Sequence, residues 1–597
     1  MAKDAQDLVW DYIIFVIVVV ATTSVAIYSK FCGVKEKTKA DYVFATGKVS
    51  ITAMMLSIAR GNLGVRSIIG YPSELYYRGA TMWESLYGIL LAYPIVCFIF
   101  VPVYFSLGIT SVYQYLDLRF KSRIVRCLAS GTFILRQFLL QGVTVFTPCV
   151  ALKTVIGLPY WVSIFGIGGI SIIFNILGGL KAAIWVDVLQ SVITIAVSLV
   201  IFIYGCIESQ GLSNVIDVNW VNGRLNFFNF NPDPTVRVTT ISAVLGNLFM
   251  SLSILGCQQS FVQRYCSMES QKQVTKVLMY NMPVVTVLFS LSWIMGMVIY
   301  AAYEHCDPLS YGYIRSLDEI LPFYVEDRFS FFPGLLGLFL ATLFNGALSL
   351  NVSLVNSLAT VTFEDFLKPI PALNKMKDYY QLWTIKFISV AYGLIIMGMS
   401  FLVSKIDGVI EASMLVTSVT SGPLLGVFLL AMLVPVANGK GAAFGIIIGH
   451  LITFWIAIGA FVVSKPPTPY LPLKIDACND TFFGAHIQRP NDIIYNPYLN
   501  GNLTTYLEED PANTENPLYT LYSVTYMYYT CIGCIVTVIC GTIISYFTRS
   551  DLDICNENLI HPVIWKIRDL FHTKKSFNVQ RIHEDNEECR TGATDGK

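Results

Sequence analysis

The stretch Ser163–Gln190 reads SIFGIGGISIIFNILGGLKAAIWVDVLQ. An uncharged apolar span runs into the glycine pair Gly178-Gly179. One lysine (Lys181), one tryptophan and one acid (Asp187) follow as the next apolar span opens. A charge at the mouth of a membrane helix is costly, and where it persists it serves function or topology. The stretch therefore reads as two membrane spans joined by a tight corner, with an ionisable group carried inward.

The rest of the chain agrees. Of its 597 residues 54% are hydrophobic and 13% charged, against about 25% charged in soluble domains. Mean hydropathy is +0.59. Formal net charge is zero, so there is no basic footprint for nucleic acid. The 14 cysteines are scattered. Cys531 and Cys534 form a CxxC inside the last apolar span and read as small apolar filler. No nucleophile constellation, metal-ligand cluster, phosphate loop or haem attachment is visible, so an enzyme is not expected and no cofactor is called for. No ring-forming filter repeat suggests a channel. The N-terminal MAKDAQDLVWDY has one lysine against three aspartates and no small-residue cleavage site, so no cleaved signal peptide is expected.

Apolar stretches long enough to span hydrocarbon number about 13. They fall near 11–30, 51–72, 80–107, 124–150, 159–178, 184–207, 238–262, 277–303, 332–362, 381–404, 408–434, 441–463 and 519–547. The expected fold is an all-α integral membrane protein. Lys30, Lys35, Lys37, Lys39 and Lys48 follow the first span, whereas Asp4, Asp7 and Asp11 precede it. The positive-inside rule then puts the N-terminus outside. It also puts Arg119, Lys121, Arg123, Arg126, Lys181, Arg264, Lys272, Lys368, Lys375 and Lys377 inside. The acceptor sequons at Asn479 and Asn502 both lie in the long polar loop 464–518, which this topology places outside. Asn351-Val-Ser lies within a span and reads as a chance match. Cys306 and Cys478 also fall outside, where a disulfide between them is allowed.

The expected organisation is an extracellular N-terminus, first peripheral span and cytoplasmic linker over 1–50. A helical core with its following spans covers 51–463, an extracellular glycosylated loop 464–518, the last span 519–547 and a cytoplasmic tail 548–597. External sequons favour the plasma membrane. Two spans are unusually punctuated. The segment 51–72 contains Gly61, Gly64, Gly70 and Pro72, and 238–262 contains Gly246, Gly256 and several polar side chains. Broken helices at corresponding places in two halves are where a carrier's site lies.

Several motifs in order carry a family resemblance. The opening stretch resembles the signature of the sodium/solute symporter family, roughly GG(L/M)KAV-W-TD-Q. GYPSELYYRGA (Gly70–Ala80), YQYLDLRF (Tyr113–Phe120), VQRYCSMES (Val262–Ser270), SLVNSLATVTFEDFLKP (Ser353–Pro369) and SGPLLGVFLLAMLVP (Ser421–Pro435) also resemble motifs of that family. The wording is most similar to the branch carrying iodide, monocarboxylates and multivitamins. The resemblance covers roughly residues 40–460. It implies a LeuT-like, inverted-repeat core of ten helices with two broken helices, working by alternating access. The implied function is secondary-active transport of a small organic solute, with an anion such as a monocarboxylate or vitamin expected. Sodium is the implied coupling ion. The expected partners are a small-molecule solute, sodium and the lipid bilayer.

The resemblance also implies a sodium site between the first broken helix and the helix ending in NSLATVT. Matching the motif ends puts Arg60 and Leu63 at the carbonyl positions, and Gly346, Ser349 and Leu350 on the partner helix, with Asp187 nearby. Arg60 and Leu350 depart from the family pattern of a small residue and a hydroxyl. Two readings stay open. Either Arg60 stands in for the ion and coupling is weakened or lost, or it points away and carbonyls still bind sodium. Arg66 reads either as a ligand of a solute carboxylate or as the partner of an in-membrane acid such as Glu411. Asn62, Ser67, Tyr71, Asn247, Gln258 and Gln259 are candidates to line the solute pocket, with helix-to-helix hydrogen bonding the alternative. A solute sensor that uses the transporter fold without translocating is the second functional reading.

Overall fold

The computed structural model describes residues 5–31, 50–64, 66–107, 109, 111–177, 180–403, 409–463, 470–479, 482–484, 517–549 and 559–564. Asn502 lies outside these residues, as do Gly178 and Gly179. The side chains of Arg66, Lys181 and Glu411 also lie outside the described set.

The described secondary structure is helical, with no strand among the described residues. Every apolar segment read from the sequence holds helix. Among the described residues, ten helical stretches are long and apolar enough to cross a membrane, and Val9–Ser24 and Tyr160–Ile176 are shorter apolar helices. The elements used below are α1 (Ala5–Phe31), α2 (Ile51–Leu63), α3 (Arg66–Arg78), α4 (Ser85–Ile95), α5 (Val101–Leu107), α6 (Gln114–Phe120), α7 (Arg123–Ile156), α8 (Tyr160–Leu177) and α9 (Leu180–Glu208). After them come α10 (Leu212–Val221), α11 (Thr240–Cys257), α12 (Gln259–Cys266), α13 (Gln271–Ala302), α14 (Ile320–Arg328), α15 (Leu335–Val361), α16 (Asp378–Val403), α17 (Val409–Leu433), α18 (Gly439–Val462) and α19 (Tyr529–Phe547).

The helix α15 and its π-helical continuation form the centre. The best apolar window of Leu335–Leu367 is 94% buried, against 33% for the windows in α18 and α19. Those outer helices turn large apolar residues such as Phe444, Leu451, Phe461, Ile539 and Ile543 outward, as a hydrocarbon solvent permits. Inside, helices approach on small residues rather than by hydrophobic exclusion, which lipid does not supply. A Cβ on Gly541 would stand 2.6 Å from Leu430. One on Gly88 of α4 would stand 2.3 Å from the Val244 carbonyl oxygen of α11.

The first broken helix runs further than its apolar stretch. α3 continues past Pro72 to Arg78 because its charges are paired. The Glu74 carboxylate accepts from Arg237 Nη2 at 3.1 Å and from Arg78 Nη1 at 3.4 Å. The end of α3 is also anchored from outside the helix. Tyr76 and Tyr77 hydroxyls donate to Asp307 at 3.0 and 3.4 Å, and Leu471 N–H donates to the Tyr77 carbonyl at 2.9 Å. Cys306 beside Asp307 is joined to Cys478 in a disulfide, with Cα atoms 4.9 Å apart. Asn479 is exposed next to it. Asn351, the third sequon asparagine, is buried in α15 and donates to Ser171 Oγ at 2.9 Å.

At the opposite end, Arg119 of α6 donates to the carbonyls of Ala431 at 3.0 Å and Val434 at 3.1 Å. It thereby satisfies the acceptors left over where α17 stops. Nearby, Arg126 pairs with the buried Asp365 at 2.6 Å.

Candidate functional site

Both expected breaks are present. α2 stops at Gly64, whose φ of 72° and ψ of 174° leave the helical region; glycine adopts this without a Cβ penalty. The freed Gly64 carbonyl accepts from Ser67 Oγ at 2.7 Å. Arg60 Nη1 lies 3.5 Å from the same oxygen. The second break is different in kind. α11 ends at Cys257 and α12 begins at Gln259, with Gln258 extended between them (φ −92°, ψ 128°). Tertiary bonds hold this opening. Tyr113 Oη donates to the Cys257 carbonyl at 3.1 Å, and Val112 N–H donates to Gln259 Oε1 at 2.8 Å.

Asp187 of α9 sits where four elements meet. Its carboxylate accepts from Ser57 Oγ of α2 at 2.6 Å and from Arg264 Nη2 of α12 at 3.2 Å, and it is also hydrogen-bonded to Ser349 Oγ of α15. Arg264 Nη2 donates in addition to Ser353 Oγ of α15 at 3.1 Å. Asp187 and Arg264 are 1% and 2% exposed, so each needs the other, because an unpaired buried charge costs several kcal/mol, about 3–5 when one partner is removed. Gly61 makes the room. A Cβ there would lie 3.3 Å from both Arg264 Nη1 and the Phe261 ring. Arg264 was expected among the cytoplasmic cations; it is instead buried in the bundle, since the second broken helix carries it back against Asp187.

Of the sodium-site positions, Ser349 reaches Asp187, and Leu63 is buried at the end of α2. Gly346 is buried in α15 one turn before Leu350. Leu350 is 7% exposed and packs with Ala347. It presents methyl groups at the position where the family resemblance implies a hydroxyl. The Arg60 carbonyl already accepts from Gly64 N–H at 2.9 Å. The Arg60 side chain is 4% exposed, and its Nε and Nη2 have no hydrogen-bond acceptor among the described residues. Asp187 acts on Arg60 electrostatically as well as on Arg264. Among the described residues, Asp187 thus faces two cations, Arg264 and Arg60.

The pocket candidates separate. Asn247 donates to Ser85 Oγ at 2.9 Å and to the Ala243 carbonyl at 3.1 Å, tying α11 to α4. Gln258 donates to Ser260 Oγ at 2.8 Å, and Gln259 is engaged by Val112. Tyr71 stacks on Trp293 with centroids 5.4 Å apart and tilts against Phe289 at 4.7 Å, on α13. Asn62 lies against the Tyr93 hydroxyl. Ser67 bridges the first break. Arg136 of α7 is fully buried, with its charge felt at Tyr113 and Cys257 beside the second break. His450 stacks on Phe454 and its Nδ1 lies 2.8 Å from the Ile446 carbonyl, a packing role.

Sequence reasoning missed Arg264, Ser57 and Ser353 as a set. The available signal was the VQRY motif directly after a punctuated span. Chemically, the arrangement can tie two broken helices and the central helix together through one carboxylate, and can place a fixed cation at the first break.

Comparisons with known proteins agree with this architecture. The family model of the sodium:solute symporter family matches residues 42–449. The chain is 32% identical over 542 residues to sodium-coupled monocarboxylate transporter 1 of Homo sapiens, covering 90% of this chain and 87% of the relative. It is 32% identical over 558 residues to human sodium-coupled monocarboxylate transporter 2, covering 93% and 87%. Among solved structures, the substrate-bound outward-open state of a Na+-coupled sialic acid symporter superposes with a TM-score of 0.70 at 21% identity, over 90% of this chain and 98% of the other. That likeness gives the LeuT-like fold. With the ordered motifs, the two broken helices and these matches together, this multi-pass membrane chain belongs to the sodium:solute symporter family.

Proposed function

We infer that the chain carries a small organic anion of the monocarboxylate class across the plasma membrane by alternating access, with sodium coupling weakened at the family's ion position. The observation that carries the reading is Arg60, buried at the first break with its guanidinium on the Gly64 carbonyl. A fixed cation there supplies the charge that a bound sodium would bring, and Leu350 removes one oxygen donor from the same shell. Hard cations need oxygen ligands and bind poorly beside like charge. The buried Arg60 guanidinium, with two nitrogens that have no acceptor among the described residues, favours an anionic solute. The two human relatives are monocarboxylate transporters, in agreement with that class. In this reading the N-terminus and the loop carrying Asn479 and Asn502 face outward, and the tail faces the cytoplasm.

The test is uptake of a labelled panel of lactate, butyrate, nicotinate, biotin, pantothenate, iodide, myo-inositol and glucose in cells expressing the chain. Each is run in sodium and with choline replacing it. Carboxylate uptake that persists in choline is the expected result. Uptake abolished by choline would mean that the ion position works despite Arg60 and Leu350. No uptake of any carboxylate by surface-expressed protein would overturn the solute class.

A further inference from the structure

A cavity of about 430 Å³ lies away from the Asp187 pocket, where the α6–α7 turn, the start of α18 and the end of α19 meet. Its lining includes Lys121, Ser122, Ile124, Gly439, Lys440 and Phe444. Positive charge gathers there from independent sources. Lys121 and Lys440 are both exposed. The α7 N-terminus opens beside Ser122, and the α18 N-terminus opens at Asn438, whose side chain accepts from Gly441 N–H at 2.9 Å. Helix N-termini carry partial positive charge, so Lys440 in the first turn of α18 faces a like-signed dipole. No carboxylate lines the cavity among the described residues.

The backbone holds this arrangement. Lys121 sits at φ 48°, ψ 35°, a left-handed conformation uncommon for a residue with a Cβ. Gly439 is pressed onto the turn, and a Cβ there would meet Ser122 Cβ at 2.9 Å and the Phe120 carbonyl at 3.2 Å. The two lysines therefore rise from one rigid seam. The walls below them are apolar and outward-facing: Ile124 is 67% exposed, Phe444 55% and Ile447 39%. A soluble anion would gain nothing from such walls, whereas acyl chains would.

We propose that this cavity is a headgroup site for an anionic phospholipid of the cytoplasmic leaflet, with Lys121 and Lys440 on the phosphate and the Ile124–Phe444 wall along the acyl chains. The positive-inside reading puts this end of the bundle in the cytoplasm, where anionic lipids concentrate. The site is independent of the solute and ion positions.

The test uses the full chain purified in detergent, with phosphatidylserine or phosphatidylcholine titrated and bound lipid counted by native mass spectrometry. Phosphatidylserine binds in preference. Each lysine near an anionic headgroup contributes about fivefold, so K121Q/K440Q weakens phosphatidylserine binding roughly 25-fold and K440Q alone about fivefold. K375Q/K377Q, exposed lysines on a different loop, leaves it unchanged. Equal binding of both lipids, or phosphatidylserine binding unchanged in K121Q/K440Q, would overturn the proposal. Displacement of the lipid by millimolar inorganic phosphate would also overturn it, in favour of a soluble anion.

Discussion

Replacing Arg60 with serine, alone and with Leu350→Ser, turns the coupling argument into a number. Arg60 shares the one carboxylate near it, since Asp187 is hydrogen-bonded to Arg264 at 3.2 Å and acts on Arg60 only through space. Two unit positive charges about 5 Å apart, at an effective dielectric constant of about 20, repel by ~3 kcal/mol. Each 1.4 kcal/mol is tenfold, so the penalty is roughly 150-fold in sodium affinity. That moves a site of tens of millimolar into the molar range. Removing Arg60 should not strand a partner, because two of its three nitrogens have no acceptor among the described residues. Leu350→Ser then supplies a hydroxyl where Leu350 is buried beside Ala347. The assay is sodium-22 binding to purified protein by scintillation proximity, which needs no known solute. Wild type should show no saturable component at physiological sodium, Arg60→Ser should gain one, and the double variant should bind more tightly. Saturable millimolar binding in wild type would refute the reasoning, as would a properly folded double variant with no gain.

Asp187→Asn strands Arg264 in the bundle, and loss of one partner of a buried pair costs about 3–5 kcal/mol; surface expression should collapse. D187N/R264Q should recover part of that loss in surface expression. Cys306→Ser opens a loop of 172 residues, so thermal stability should fall by up to about 5 kcal/mol on the chain-entropy estimate, and reductant should then have little further effect. N479Q and N502Q should each remove one endoglycosidase-sensitive step in gel mobility, and Asn351→Gln should remove none because Asn351 is buried in α15.

The sequence made the helices legible because apolar runs of spanning length have few other uses, and Gly61, Gly64, Gly70 and Pro72 together marked the region of the first break. The second break was harder to locate. Gly256 marked the region, but the chain opens at Gln258, where Tyr113 and Val112 from a distant turn compete with the helix for its backbone and side-chain groups. Asn247 shows why pocket residues resist reading by type. An amide in a span can serve a solute or another helix, and the Ser85 it bonds is 162 residues away. Arg264 resisted for a related reason. Counting cations by neighbouring loops cannot see a counter-charge 77 positions upstream.

The Arg60 guanidinium is tethered, and that changes what the carrier can do with energy. A bound ion enters from one side, leaves on the other, and hands its own gradient to the solute. A side chain that stays in place dissipates nothing over a cycle. Without ion cargo the steady-state ratio of solute across the membrane is set by the solute's own electrochemical potential. For a monoanion, a potential of 60 mV is worth ~1.4 kcal/mol, about tenfold, and directs it outward. Such a protein would act as a leak for organic acids, emptying cells that make them and filling cells that consume them fast enough to reverse the slope.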